Sequence, residues 1–559
     1  MSEAILYDKT HNIAHTDDTP TEQQPSRRSP IISPTLLLIG LMIYALGVYT
    51  YATVRFDGNW GENDTMVLTR AIYGALIDDT VINAETFRYG NGLSYQAISV
   101  FVAEITGLDV QTIQVYLYPT LAAIMLPLLA FSAYNALIGH RFIALLATLL
   151  LFLQPDFLFV TWRGSHEKVT WAFTLLSLFL LGKILQSHIY NRDARPFVFA
   201  FYIGAIAMIF SNGFFSSSMT TALMLSFLLG TIFFAIRRRI HSRLESDDRF
   251  RLILQQLMLV TLSIMLLLYL FFFHLYPPAR TLLTSFETLI DGLSSLFLGS
   301  EEAVGTQMAE NYISTTWLSL SIYLLVSSFG WFTLITSFIV WLLGALRMLF
   351  KRDLSDLDFT RLFLWALYPT FAIQLVMSVV ADQVDTFGSN IQVRLFTPLM
   401  LVAIPILAIG IHDIFQRLRQ PQLRRTFQVA AAFAVAGFSV LALLKMTNEP
   451  LISNQWTFIT DQERIAYEWA ERHDVDRIWT GMDQRMEMTL AIFDITVDLR
   501  KVVFGLQPGK NIRYYLLSDL ETTRWTRRAI PLPYLGNEHQ IYDNGAARIY
   551  HRRPQSIYQ

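Results

Sequence analysis

What constrains this chain most is the recurrence of apolar segments about as long as a bilayer is thick. A helix needs roughly 20 mostly apolar residues to cross the hydrocarbon core. The first such run is TLLLIGLMIYALGVYTYATV, Thr35 to Val54. Others lie near 112–136, 141–160, 168–187, 196–212, 213–236, 252–276, 316–349, 361–381, 394–415 and 426–446. This pattern predicts a polytopic α-helical membrane protein with about eleven transmembrane helices. Two segments admit alternatives: 196–236 can be two short helices turning at Ser211-Asn212-Gly213, and 316–349 can contain a break. Charged residues make up only 16% of the 559 positions, well under the quarter or so found in soluble domains. A formal net charge of −2 leaves no broadly basic surface, so nucleic acid is excluded as a partner. The absence of cysteine removes disulfides, thiolate catalysis and cysteine-based metal sites together.

Lysine and arginine set the orientation, because they concentrate in cytoplasmic loops. Arg27 and Arg28 precede the first span, and RRRIHSR (237–243), RMLFKRD (347–353) and RLRQPQLRR (417–425) fall in alternate connections. A cytoplasmic amino terminus puts all of them inside and the carboxyl terminus outside. Residues 1–33 are polar and read as a disordered cytoplasmic tail, followed by a multi-pass unit over 34–446 in the cell membrane. Its outward loops include 55–111, 277–315 and 382–393. The first is too long for a simple connection, and Val67, Leu68, Ala71, Ile72, Ala75 and Leu76 recur in it at helical spacing. They predict an interfacial helix with Asn63 or Asp64 as its N-cap. Beyond about Thr447 the composition turns polar. TDQERIAYEWAERHDVDRIWTG predicts a helix and then a strand, 513–520 another strand, and Asn544-Gly545 a hairpin turn. The expectation for 447–559 is a small α/β extracytoplasmic domain.

Three outward places hold groups capable of chemistry. GNWGENDTMVLTRAIYG begins just after Asp57 and contains Glu62 and Asp64. Two positions apart on a helix, Glu62 and Asp64 point to different faces; spacing leaves capping and catalysis equally open. QPDFLFVTWRGSHEKVTW gathers Asp156, Arg163, His166, Glu167 and Lys168 beside Trp162 and Trp171. Such residues either anchor the chain at the interface or cradle a phosphate and a hydroxyl-rich ligand. Adjacent His166 and Glu167 lack the i, i+4 spacing of helical metal ligands. Arg394 opens a late apolar run, where it either snorkels to headgroups or serves a functional partner. No phosphate-cradling Walker sequence and no serine-centred hydrolase elbow is present.

This layout resembles the GT-C superfamily of polytopic glycosyltransferases, which includes protein O-mannosyltransferases, aminoarabinose transferases and oligosaccharyltransferases. GENDTMVLTRAIYG occupies the place of that superfamily's acidic first outer loop, and FRYGNGLSYQAISVF (87–101), with Tyr89, is similar to the segment that follows it. VRLFTPLMLVAIPIL resembles the late span that begins with an arginine near the lipid phosphate. One departure is that Glu62-Asn63-Asp64, with Asp57 upstream, stands where an adjacent Asp-Glu pair is usual. The resemblance implies transfer of a sugar from a polyprenyl-phosphate-linked donor to a hydroxyl of a protein, lipid or glycan acceptor on the outer face. It implies Asp64 as catalytic base, with Asp57 and Glu62 as alternatives. It also implies Arg394, with Arg163 or Lys168, as the donor-phosphate site, and His166, Glu167 and Tyr89 as substrate contacts. A divalent metal stays open, since some relatives use one and Asp57, Glu62, Asp64, His166 and Glu167 offer oxygen and nitrogen ligands. The alternatives from other classes are a transporter or flippase of a lipid-linked saccharide and a non-catalytic envelope assembly protein.

Overall fold

The computed structural model of the protein describes residues 33–55, 58, 63–80, 92–241, 245–270, 324–351, 354–383, 391–447, 449, 458–473, 475, 478–480, 502–503, 512–527 and 538–552. The expected tail over 1–33, apart from Ser33, and the loop 277–315 lie outside the described residues. So do Asp57, Glu62 and Tyr89.

The helices follow in chain order: α1 (Pro34–Arg55), α2 (Asn63–Ile77), α3 (Leu93–Thr106), α4 (Val110–Ile138), α5 (Arg141–Leu151), α6 (Pro155–Trp162), α7 (Glu167–Ile189), α8 (Arg195–Ser211), α9 (Gly213–His241), α10 (Glu245–Leu270), α11 (Ser328–Phe350), α12 (Asp356–Gln383), α13 (Ile391–Arg417) and α14 (Pro421–Met446). Among the described residues, nine segments are long and apolar enough to cross a membrane: those of α1, α4, α7 and α9 to α14. The pair α5 and α6 forms one more segment, bent by 74°, and α8 is an apolar helix of 17 residues. Each of the eleven apolar runs therefore corresponds to a helix or a helix pair. The run 196–236 is two helices separated by Asn212 alone, and within 316–349 the long helix begins at Ser328.

Local sequence explains the breaks. Pro155 has no N–H to donate and biases the preceding residue away from helical angles; Gln154 is accordingly extended, with φ −82° and ψ 111°. The chain at this bend keeps its backbone satisfied, as an apolar setting demands. The N–H groups of Phe152, Leu153 and Gln154 donate to the carbonyls of Thr148, Leu150 and Leu151 at 3.2, 3.2 and 3.1 Å. α4 ends at Gly139, whose φ of 72° suits a residue without a Cβ.

The helices interlock through close approaches and a few polar ties. Trp341 Nε1 on α11 donates to the Trp365 carbonyl on α12 at 2.8 Å, and Trp365 Nε1 returns the bond to the Trp341 carbonyl at 2.9 Å. Tyr134 on α4 donates to the Leu401 carbonyl on α13 at 3.1 Å. The apolar face of α2 is buried through Leu68, Ala71, Ile72 and Ala75. Leu68, Ile72 and Ala75 pack with Tyr95, Val100 and Ala103 of α3 and with Ile113 and Tyr118 of α4. Of the two surfaces open to this amphipathic helix, lipid or protein, it uses protein. α2 begins at Asn63, so Asp64 sits in its first turn rather than at the expected capping position.

The two ends of the bundle differ. At one end, Thr53 in the last turn of α1 bonds to Trp162 beside the start of α7, and the early turns of α7, α9 and α13 meet around Trp171, Phe215 and Pro398. At the other, buried Arg237 on α9 donates to the carbonyls of Met348 and Lys351 at 2.8 and 2.5 Å, capping the carboxyl end of α11. There too the His140 and His412 rings lie 5.0 Å apart, and Arg361 Nε donates to the Ile138 carbonyl at 3.4 Å.

At the carboxyl end of the chain is a small α/β unit of α15 (Asp461–Arg472), β1 (Ile478–Trp479), β2 (Val502–Val503), β3 (Tyr514–Ser518), α16 (Asp519–Arg527), β4 (Glu538–Asp543) and β5 (Ala547–Arg552). The strands run in the order β2-β1-β3-β5-β4, with β1 parallel to both neighbours and β5 antiparallel to both of its own. Thr460 and Glu463 form a reciprocal capping box, at 2.8 and 3.2 Å, that starts α15. The strand expected over 513–520 stops at Ser518, because its hydroxyl accepts the Glu521 N–H at 3.1 Å and begins α16. The hairpin turns at Asn544-Gly545 as expected, with Gly545 at φ 90°.

Two outcomes follow. A Cβ on Gly182 of α7 would lie 2.8 Å from Ala136 Cβ and 3.2 Å from its carbonyl carbon on α4, whereas one on Gly437 of α14 would meet nothing within 4 Å. Gly182→Ala is expected to destabilise the detergent-solubilised protein by about 1–3 kcal/mol, and Gly437→Ala to stay within about 1 kcal/mol of the parent. Thermal unfolding midpoints compare them. In the hairpin, the Gly545 N–H donates to Asp543 Oδ1 at 2.7 Å, and that bond, with Arg548 adding, holds the Asp543 carboxyl below its ordinary value of 3.8. A lowered native value means this support is present above pH 3.8 and lost as pH falls through the native value. Amide exchange at Gly545 should accelerate over that acid window in the parent and show no such step in Asp543→Asn.

Candidate functional site

α6 delivers the residues of interest. It lies across the end of the bundle after the 74° bend and ends at Trp162, capped by Arg163, which opens a short turn through Gly164 and Ser165 into α7. Tyr49 and Thr161 share a 2.6 Å hydrogen bond, and Trp162 Nε1 donates to Thr53 Oγ1 at 3.3 Å, so α6 is tied to the last turns of α1. Arg55, the end of α1, pairs with buried Glu449 at 3.2 Å, just after α14. Lys445 of α14 pairs with Asp156 at 3.2 Å.

The turn 163–166 is buried, and its charges answer one another. Arg163 Nε donates to Glu167 Oε2 at 3.0 Å, and its Nη2 donates to the same oxygen. Ser165 Oγ donates to that oxygen at 3.3 Å. The Arg163 guanidinium also lies 5.0 Å from the Phe159 ring centroid. Lys168 Nζ donates to the Trp162 carbonyl at 3.4 Å and stands 5.8 Å from the centre of the Tyr118 ring. Tyr95 of α3 donates to the Gly164 carbonyl at 3.0 Å; burial, then neighbouring Tyr118, pushes its phenol well above the ordinary value, keeping it a neutral donor. His166 Nε2 meets Asn212 Nδ2 at 2.8 Å, and Asn212 Oδ1 accepts the Phe215 N–H at 3.1 Å, capping α9.

Four of the residues singled out in the sequence, Arg163, His166, Glu167 and Lys168, are therefore buried together in the turn 163–166 and the first turn of α7. Arg394 is in the first turns of α13 and exposed. One turn further along α13, Pro398 lines a small cavity of ≈ 10 Å³ with Trp171 of α7, Met208 of α8 and Phe215 of α9. That cavity is room for about one water, and it puts the start of α13 at the same end as the 163–168 turn. Asp64 is in the first turn of α2, and its side chain, like Asp57, Glu62 and Tyr89, lies outside the described residues. Asn212 was missed as a site residue. Its signal was the Ser-Asn-Gly break between two apolar runs, which marks a turn but not a partner for His166.

Among the described residues no three histidine, aspartate or glutamate side chains converge. Glu167 Oε2 is taken up by Arg163 and Ser165, and His166 Nε2 by Asn212. Nor, among the described residues, is any charged side chain buried at mid-bundle, between the Lys168 and Arg237 ends.

The chain is a multi-pass helical membrane protein, and its fold is that of solved GT-C structures. The oligosaccharyltransferase AglB from the archaeon Archaeoglobus fulgidus, solved with an inhibitory peptide and a dolichol-phosphate, superposes on 89% of this chain and 71% of its own with a TM-score of 0.53 at 14% identity. The same enzyme solved with zinc and sulfate covers 88% and 69%, with a TM-score of 0.52 and 14% identity. ArnT from Cupriavidus metallidurans, bound to undecaprenyl phosphate, matches over 94% of this chain and 100% of its own with a TM-score of 0.37 and 12% identity. No protein-family model and no curated protein sequence matches significantly.

The ion pair makes a stability test. Glu167→Gln leaves Arg163 charged and buried without its carboxylate, which typically costs about 3–5 kcal/mol. The double replacement Arg163→Met with Glu167→Leu removes both charges and should recover most of that loss in a thermal-shift comparison.

Proposed function

We propose that this protein is a membrane glycosyltransferase that moves a sugar from a polyprenyl-phosphate donor to an acceptor hydroxyl, at the end of the bundle holding Arg163, His166, Glu167 and Lys168. The observation that carries this is the AglB fold over 89% of the chain, with that buried polar turn where α1 gives way to the acidic loop. The AglB structure was solved with a dolichol-phosphate and a peptide, and an equivalent pair of substrates is what this reading assigns to the chain.

The reacting end is the outer one in this reading. Arg237, Arg238 and Arg239 on α9, Arg347 on α11, and Arg417, Arg419, Arg424 and Arg425 around the α13–α14 connection all belong to the opposite end. Lysine and arginine in short connections favour the cytoplasm, which leaves the amino terminus inside and the α/β unit outside.

The residues then divide the work. A carboxylate of the first loop, Asp64 first and Asp57 or Glu62 as alternatives, takes the acceptor proton as the hydroxyl attacks the anomeric carbon. The bond from that carbon to the phosphate oxygen breaks, and the lipid phosphate leaves with the electron pair. Arg394 suits the leaving phosphate because it is exposed at the start of a helix, where the dipole also favours an anion. Lys168 stands second. Arg163 is already neutralised by Glu167, so its contribution is to fix the turn that carries His166. A metal, where one is used, would draw on the first-loop carboxylates.

Purified protein incubated with polyprenyl-phosphate sugars should release the lipid phosphate. Asp64→Asn should lower turnover by about 10²–10⁴-fold with the unfolding midpoint unchanged. Turnover that survives in Asp64→Asn moves the base to Asp57 or Glu62. Lipid-linked sugar that crosses vesicle membranes intact, with no phosphate released, would overturn the enzyme in favour of a transporter.

A further inference from the structure

We infer that Asn212 is a positioning residue that fixes His166 as the neutral tautomer carrying its proton on Nδ1, so that Nε2 is held by the Asn212 amide and does not act as a base or a ligand. The consequence for catalysis rests on the glycosyltransferase reading above; the tautomer itself does not.

The argument starts from the helix break. Asn212 is the single residue between α8 and α9, and its φ of −162° and ψ of 103° are extended. Its backbone is held on both sides: the N–H donates to the Met208 carbonyl at 2.8 Å, and the carbonyl accepts the Ser216 N–H at 3.0 Å. The side chain is 5% exposed on a residue basis, and His166 is 3% exposed.

An amide presents an oxygen at one face and an NH2 at the other, and only its partners decide which is which. Here the Phe215 N–H settles the matter. It can only donate, and it points at Asn212 Oδ1 from 3.1 Å. The reversed amide would set NH2 against N–H and leave the start of α9 uncapped. The NH2 group is therefore committed to His166 Nε2, 2.8 Å away. Because an amide NH2 cannot accept, Nε2 must offer its lone pair. A neutral ring with an occupied Nε2 lone pair carries its proton on Nδ1. The imidazolium is disfavoured by the same contact, since an Nε2–H would oppose the NH2 at hydrogen-bond distance.

Asn212→Asp separates this role from a purely structural one. A carboxylate still accepts the Phe215 N–H, so the helix cap and the unfolding midpoint should be kept. Its second oxygen must now be met by a donor, which forces a proton onto His166 Nε2. The measurement is nitrogen NMR of protein labelled in its histidine rings, with His166→Gln used to assign the signal. The expected parent spectrum at pH 7 shows His166 Nδ1 protonated and Nε2 bare, and Asn212→Asp shows Nε2 protonated. In the transferase assay, Asn212→Asp should lower kcat roughly tenfold, with its pH profile altered. A protonated Nε2 in the parent, or an unchanged spectrum in Asn212→Asp, would overturn the inference. A correct spectrum in a protein that transfers no sugar would instead leave the tautomer standing and remove the glycosyltransferase reading.

Discussion

The Arg163 end of the bundle depends on one buried ion pair. Arg163 follows a helix that lies across the membrane-spanning elements, and without a partner its charge would be driven out toward solvent. Glu167 supplies that partner one helical turn later, from the first turn of α7. The spacing means that satisfying the charge also closes the turn 163–166. Closing the turn fixes the Gly164 carbonyl under Tyr95 and the His166 ring against Asn212. Three otherwise separate parts of the chain, α3, the α6–α7 turn and the α8–α9 break, thus become one assembly.

That assembly is possible only because the α5–α6 segment does not run straight. A straight helix through 141–160 would have carried Arg163 beyond the bundle. Pro155 prevents this, and the 74° bend returns α6 across the ends of its neighbours, where Thr161 and Trp162 bond to α1. Irregular backbone at this depth survives because protein, not lipid, surrounds it: Phe152, Leu153 and Gln154 are all fully buried.

Much of the architecture was legible because hydropathy reads the solvent directly. Each long apolar run corresponds to a helix or a bent helix pair, since in lipid the backbone has few other ways to satisfy itself. The hairpin at Asn544-Gly545 was legible for a local reason, the positive φ that Gly545 adopts. The bend at Gln154-Pro155 was not drawn from the sequence, although its proline was visible, because the run 141–160 is long enough to pass for a single span. Ser518 ended a strand early for a similar reason: capping is a competition that alternation of side chains does not reveal. At the site, clustering of Arg163, His166, Glu167 and Lys168 was visible as proximity along the chain. Which of them pair was not. The partner of His166 comes from 46 positions away, and only packing of α8 and α9 beside α7 brings it there.

The charges at this end also sort themselves by availability. Arg163 spends its charge on Glu167, Arg55 on Glu449, and Lys445 on Asp156. Lys168 is held inward by the Trp162 carbonyl and the Tyr118 ring, whereas Arg394 stands exposed. Between them, Trp171, Phe215 and Pro398 bring the early turns of α7, α9 and α13 around one small cavity. Three helix amino termini directed to one end create a partial positive field that needs no side-chain charge. In this arrangement the paired Arg55, Arg163 and Lys445 hold the scaffold, while Arg394 keeps its charge at the surface.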